Sequence, residues 1–175
     1  MLLGGRRRER SGFTLIELVT VMAVLGILAL AVVGPTLDSI DTIRSQAAAA
    51  RLVTDIRYTQ RMALASGLRA WVVVNIPANK YRLYAEDPAN PGKDGRVPVL
   101  HPSDGTTTAT RLGVGAFANI SIVTANFNGA TELEFDSLGV PRDINGAALG
   151  GPGSVTLSSG VVIQVQAVTG FVERL

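Results

Sequence analysis

The sequence has no cysteine, one histidine, 5% aromatic residues and 17% charged ones in 175 positions. Without cysteine there are no disulfides, thiolate metal sites or thiol nucleophiles, and the redox compartment stays undetermined. The lone histidine, His101, lies between Leu100 and Pro102 in a stretch rich in helix and strand breakers. A base on such a segment is not held at proton-transfer distance, so a histidine-based triad is disfavoured and the chain reads as non-enzymatic. Charge is scarce but apolar residues are not. A hydrophobic fraction of 47% excludes disordered and collagen-like classes. The length accommodates one ordinary domain with an appendage.

The net charge of +2 is unevenly placed. Arg6, Arg7, Arg8 and Arg10 against Glu9 put +3 in the first twelve residues, which leaves 12 basic and 13 acidic groups beyond them. The high isoelectric point therefore belongs to a short leader, and the body is not a polycation for nucleic acid.

Next to the arginines, Phe13 to Gly34 form 22 residues in which Glu17 is the only charge. As a helix this run covers about 33 Å, enough to cross a bilayer. Arginines on its N-terminal side orient the chain with its N-terminus in the cytoplasm and the remainder across the membrane. A secretory signal needs a shorter apolar stretch and a small-residue cleavage site, and a buried core helix rarely begins on an arginine cluster. Glu17 is costly in hydrocarbon unless it meets a cation or takes a proton. It lies one turn after Phe13. If the chain were cut before Phe13, the new α-amino group could serve as that cation, in the same or a neighbouring chain. The alternative is a carboxylate kept wet at the interface.

Ser11-Gly12-Phe13-Thr14-Leu15-Ile16-Glu17, with a basic leader before it and a long apolar run after it, resembles the type IV prepilin signal of pilins and pseudopilins. The resemblance implies that a membrane prepilin peptidase cleaves between Gly12 and Phe13 and methylates the Phe13 amine. It also implies that Glu17 aids filament assembly by pairing with a neighbour's Phe13. Proline commonly stands at mature position 22 in such chains, whereas Pro35 is at 23, after Gly34. Gly34 and Pro35 are expected to kink or locally melt the helix.

Beyond Pro35, Ile40, Ile43, Ala47, Ala50, Val53, Ile56, Ala63 and Leu64 recur mostly at spacings of three or four, with Arg44, Arg51, Asp55, Arg57 and Arg61 off that stripe. This predicts an amphipathic helix capped at Gly67 and packed on a sheet; abundant alanine argues against coiled-coil pairing. Strand patterns follow at 70–76 and 80–85 around a Pro77-Ala78-Asn79 turn, then at 120–125, 132–136, 154–157, 161–168 and 171–174. Residues 86–110, with Pro88, Pro91, Gly92, Gly95, Pro98, Pro102 and Gly105, read as a long loop holding no element. It is either a contact surface or an unstructured excursion. The expected fold class is α+β, with a long N-terminal helix on a C-terminal all-β sandwich head of about seven strands. The divisions are a leader at 1–12, a transmembrane half at 13–34, an amphipathic half at 35–66 and a periplasmic head at 67–175.

In the head, Phe127-Asn128-Gly129, Leu133-Glu134-Phe135-Asp136-Ser137-Leu138-Gly139-Val140-Pro141 and the ending Thr169-Gly170-Phe171-Val172-Glu173-Arg174-Leu175 resemble minor pseudopilins of the H type and their FimT and FimU relatives. This implies a structural subunit of a periplasmic pseudopilus like that of type II secretion. The alternative is a minor pilin with a role in DNA uptake. Implied partners are the major subunit, other minor subunits, the peptidase and the inner-membrane assembly platform; implied cofactors are none. Some relatives contact DNA through a Gly-Arg-Val-Arg-like ending. Phe171 replaces the first arginine here and Glu173 adds a negative charge, so nucleic acid is a poor partner.

Other chemistries find little support. Asp94, Asp104 and Asp136 lack the alternating spacing and closing glutamate of a calcium loop. Residues 146–153 are glycine-rich without the lysine and hydroxyl of a phosphate loop, and read as a linker between strands. Trp71, Tyr81 and Tyr84 could stack on bases, but on alternating strands they fit a core better.

Overall fold

The computed structural model describes residues 14–100 and 106–175, and the side chains of residues 30–39 fall outside that description. It is α+β, and the chain divides between Ser39 and Ile40 into two compact units. One helix, α1 (Leu15–Ser66), has residues in both. In the first unit its apolar side chains from Leu15 to Leu28 face outward. Helical assignment continues through Gly34 and Pro35, so the chain does not melt there.

In the second unit α1 ends as expected: Gly67 takes a left-handed φ of 66° and its N–H donates to the Ala63 carbonyl at 2.9 Å. The buried face of the helix corrects the sequence reading. Ser45, Ala48, Ala49, Leu52, Asp55, Ile56, Thr59 and Ala63 are buried, whereas Ile40, Ile43, Ala47, Ala50 and Leu64 are exposed. Only Ile56 and Ala63 of the expected stripe are fully enclosed, with Val53 partly so. Small side chains, not the largest apolar ones, occupy the packed face. Its three polar members have partners: Ser45 meets Ser159, Asp55 accepts from Tyr81, and Thr59 donates to the Asp55 carbonyl.

Among the described residues ten strands follow: β1 (Ala70–Asn75), β2 (Lys80–Ala85), β3 (Val97–Pro98), β4 (Ala109–Arg111), β5 (Ile122–Asn126), β6 (Glu132–Phe135), β7 (Pro141–Arg142), β8 (Gly153–Leu157), β9 (Val162–Val165) and β10 (Val172–Arg174). The seven expected strands are all present; β3, β4 and β7 are additional. One antiparallel sheet runs β3-β2-β1-β6-β7, with β4 also on β2, and the other runs β10-β9-β8-β5. Alternation along each strand sends Val72, Leu83, Leu133 and Phe135 of the first sheet, and Val155, Ile163, Val165 and Val172 of the second, into one core with Leu52 and Ile56 of α1.

Asn79, at φ 48° in the β1–β2 turn, links the sheets. Its side chain donates to the Ile120 carbonyl at 3.1 Å and accepts from the Ile122 N–H at 2.9 Å, while its own carbonyl accepts from Leu112.

The segment 86–110 departs from the expected loop. It supplies a 3₁₀ turn at Lys93–Gly95 and two short strands that pair with β2. Its anchor is Trp71, which is fully buried yet lies outside the central core because Ala70 and Val72 on either side point inward. The guanidiniums of Arg69 and Arg96 stand 5.8 and 6.0 Å from the Trp71 ring, and that of Arg96 is 4.8 Å from Tyr84. Breakers forbade a long element here, but they did not prevent pairing over two residues by β3 and three by β4 against a free sheet edge.

Candidate functional site

The N-terminal end of α1 is built on Thr14. Its Oγ1 accepts the Glu17 N–H at 3.3 Å and its carbonyl accepts the same N–H at 3.1 Å, the Thr-x-x-Glu spacing that caps a helix start. Thr20 Oγ1 donates back to the carbonyls of Ile16 and Glu17, both at 2.9 Å, so a hydroxyl is spent within the helix. Glu17 in the first turn suits the positive end of the helix dipole. Its carboxylate has no partner among the described residues, and the side chains around it are apolar and exposed, Leu15 at 81%, Ile16 at 72% and Met22 at 67%. An exposed aliphatic surface of this extent with one acid on it is of the kind that marks an interaction site.

Of the residues expected to act here, Glu17 is described as above. Gly12, Phe13, Arg6, Arg7, Arg8 and Arg10 lie outside the described residues, as do His101 and Asp104. Gly34 and Pro35 lie within α1, and their side chains are outside the description. Among the described residues no helix is long and apolar enough to cross a membrane. The cap at Thr14 was legible in the Thr-x-x-Glu spacing but was subsumed in the longer motif.

In the head, polar groups serve the frame. Asp55 Oδ2 accepts from Tyr81 Oη at 2.8 Å and from Arg51 Nε at 3.0 Å, joining α1 to β2. Burial, reinforced by the Asp55 charge, pushes the Tyr81 hydroxyl well above its ordinary range, so it stays a proton donor. Glu86 accepts from the Arg69 side chain, the Arg69 N–H and the Gly92 N–H. The Arg69 bond, ahead of the backbone donors, holds Glu86 below the usual carboxylate value. Glu134 accepts the Trp71 indole N–H at 2.8 Å, and burial raises its pKa. Asp136 tucks its turn together by accepting from the Leu138 and Val140 N–H groups and from the Arg142 guanidinium. Among the described residues no three acidic or histidine side chains converge to hold a metal ion.

The geometry is therefore that of a scaffold carrying an exposed apolar helix with one acid near its start. Residues 7–33 match the prokaryotic N-terminal methylation motif. Two solved structures of the minor pseudopilin EpsH from the type 2 secretion system of Vibrio cholerae align over 75% of this chain and 95% of theirs, at 12% identity and TM-scores of 0.54 and 0.55. The chain has a minor-pseudopilin fold. No curated relative matches the sequence.

Proposed function

We propose that the chain is a structural, non-enzymatic minor pseudopilin of the H type, working in a periplasmic filament like that of type II secretion. It waits in the inner membrane as a single span over residues 13–34, with its N-terminus in the cytoplasm and its head in the periplasm. Prepilin peptidase cuts between Gly12 and Phe13 and methylates Phe13. The released helix then leaves lipid by packing among similar helices of the major and other minor subunits, on the inner-membrane platform. Arg6, Arg7, Arg8 and Arg10 set the topology before the cut, and Gly34 with Pro35 allows a bend. The fold likeness to a minor pseudopilin supports a filament-subunit reading; a minor pilin of a type IV pilus with a role in DNA uptake is the alternative.

The observation that carries the proposal is Glu17, a carboxylate without a partner among the described residues, in the first turn of an exposed apolar helix inside a methylation motif. Packed among neighbours, that acid needs a cation, and a processed Phe13 amine supplies one while fixing axial register. Mass spectrometry of the protein from its native membrane tests the reading. A mature chain starting at N-methylated Phe13 is expected; one retaining Met1 and the arginines overturns it. Glu17→Ala is expected to be processed normally but to enter filaments about tenfold less well, as when one partner of a desolvated ion pair is removed. Normal incorporation would refute the pairing role.

A further inference from the structure

On the side of the head where α1 meets the last strand, Arg57, Gln60, Arg61, Phe171 and Val172 line a groove of about 320 Å³. Gln60 builds it: its Nε2 donates to the carbonyls of Gly139 and Thr169, both at 2.9 Å, fastening the β6–β7 and β9–β10 turns to the helix. The residues beside those carbonyls, Leu138 and Val168, are 76% and 79% exposed, and Phe171 is 55% exposed. Leu64 reaches the same turn, since a Cβ on Gly139 would lie 2.8 Å from its Cγ. Phe171 is the exposed apolar side chain of the lining, and Leu64, Leu138 and Val168 are exposed on the helix and turns that Gln60 joins.

The groove is also basic. Arg57 lies 5.7 Å from the Phe171 ring and donates to the Val172 carbonyl at 2.6 Å, and among the described residues its charge has no acid. Arg61 makes no ion pair or hydrogen bond among the described residues. Glu173, the nearest acid in sequence to Phe171, is taken by Gln166 Nε2 at 2.8 Å.

We propose that this groove docks a different protein subunit of the same filament, through a segment that places a carboxylate beside an apolar side chain. Arginine and aromatic side chains ringed by apolar surface are the composition of protein interface centres. A phosphate backbone would need a longer series of cations and would desolvate against Phe171 without return. A second copy of this chain is also a poor fit, because the groove has no acid to offer the arginines of its twin. The inference rests on the filament-subunit reading above and extends it from the helix to the head.

Incorporation of a benzoylphenylalanine photo-crosslinker at position 171 of the full chain, in its native cell, tests it. The expected product joins position 171 to another protein carrying a prepilin-type N-terminus, at a peptide holding Asp or Glu next to an apolar residue. Arg61→Glu should lower its yield about tenfold and Arg61→Lys should keep most of it, with the thermal midpoint of both purified variants unchanged. Products confined to nucleic acid, lipid or a second copy of this chain overturn the inference, as does an Arg61→Glu yield equal to wild type. The same sample reports the mature N-terminus. A processed chain without the expected product sinks only the groove, whereas an unprocessed chain sinks the filament reading itself.

Discussion

Asp55 is the residue on which the seam between helix and sheet turns. It sits on the buried face of α1, and three of its bonds to side chains, from Arg51, Tyr81 and Thr110, reach it from two strands and its own helix. Tyr81→Phe deletes the shortest of these and leaves a buried acid one donor short. We expect a loss of about 1–3 kcal/mol in denaturant unfolding, with an unchanged far-ultraviolet spectrum. A second residue-scale prediction concerns Gly153 at the start of β8. A Cβ there would lie 2.4 Å from Cδ1 of Phe127, which is itself fully buried and cannot swing aside. Gly153→Ala should cost about 1–3 kcal/mol as overpacking. Gly139→Ala collides only with Leu64, a half-exposed side chain free to move, so its cost should reduce to the strain of a φ of 71°, about 1 kcal/mol.

Among the elements, the segment covering the outer face of the first sheet depends on Arg96. Its guanidinium lies over Trp71 and Tyr84 and pairs with Glu132 at 2.6 Å. Arg96→Ala should cost about 1–2 kcal/mol, shift the Trp71 fluorescence to the red and open the segment to proteolysis before the rest of the head. None of this was legible in the sequence, because an arginine that lies across two rings has no periodicity to announce it. Long elements were legible: α1 runs to the residue before its glycine cap, and β1 with β2 fall at their expected places around the Pro77 turn. Strands of two or three residues such as β3 and β7 carry too few positions for alternation to register. The helix stripe was misread for a different reason. Alanine and hydroxyl side chains let the backbone approach the sheets closely, so Ala48, Ala49 and Thr59 took the inner face from Ile40 and Ile43. Phe13 and Glu17 were marked by their motif, whereas the groove beside Phe171 arises where α1 meets the last strand and is invisible in either alone.

At the scale of the whole molecule, four acids of the head, Glu86, Asp136, Asp143 and Glu134, divide into two groups with opposite pH behaviour. Glu86 titrates below its ordinary 4.5, so its stabilisation is complete above that value and is lost as pH falls through the lower folded pKa. Asp143, held down first by Asn128, and Asp136, where hydrogen bonds outweigh burial, behave alike. Glu134 runs the other way: burial lifts its folded pKa above 4.5, so ionising it erodes stability as pH rises through that window. Glu134→Gln, whose amide oxygen can still accept the Trp71 indole N–H, should raise the melting temperature at neutral pH and leave it unchanged below pH 4. Thermal melts across pH 3–8 check both signs, and an acid midpoint insensitive to Glu86→Gln would contradict the first. The amide of Asn79 has a consequence at this scale as well. Because one turn residue hydrogen-bonds strands and connections belonging to both sheets, neither sheet can breathe alone. Amide protons of Leu112 and Ile122 should therefore exchange with solvent in a single cooperative opening, at rates set by the same free energy.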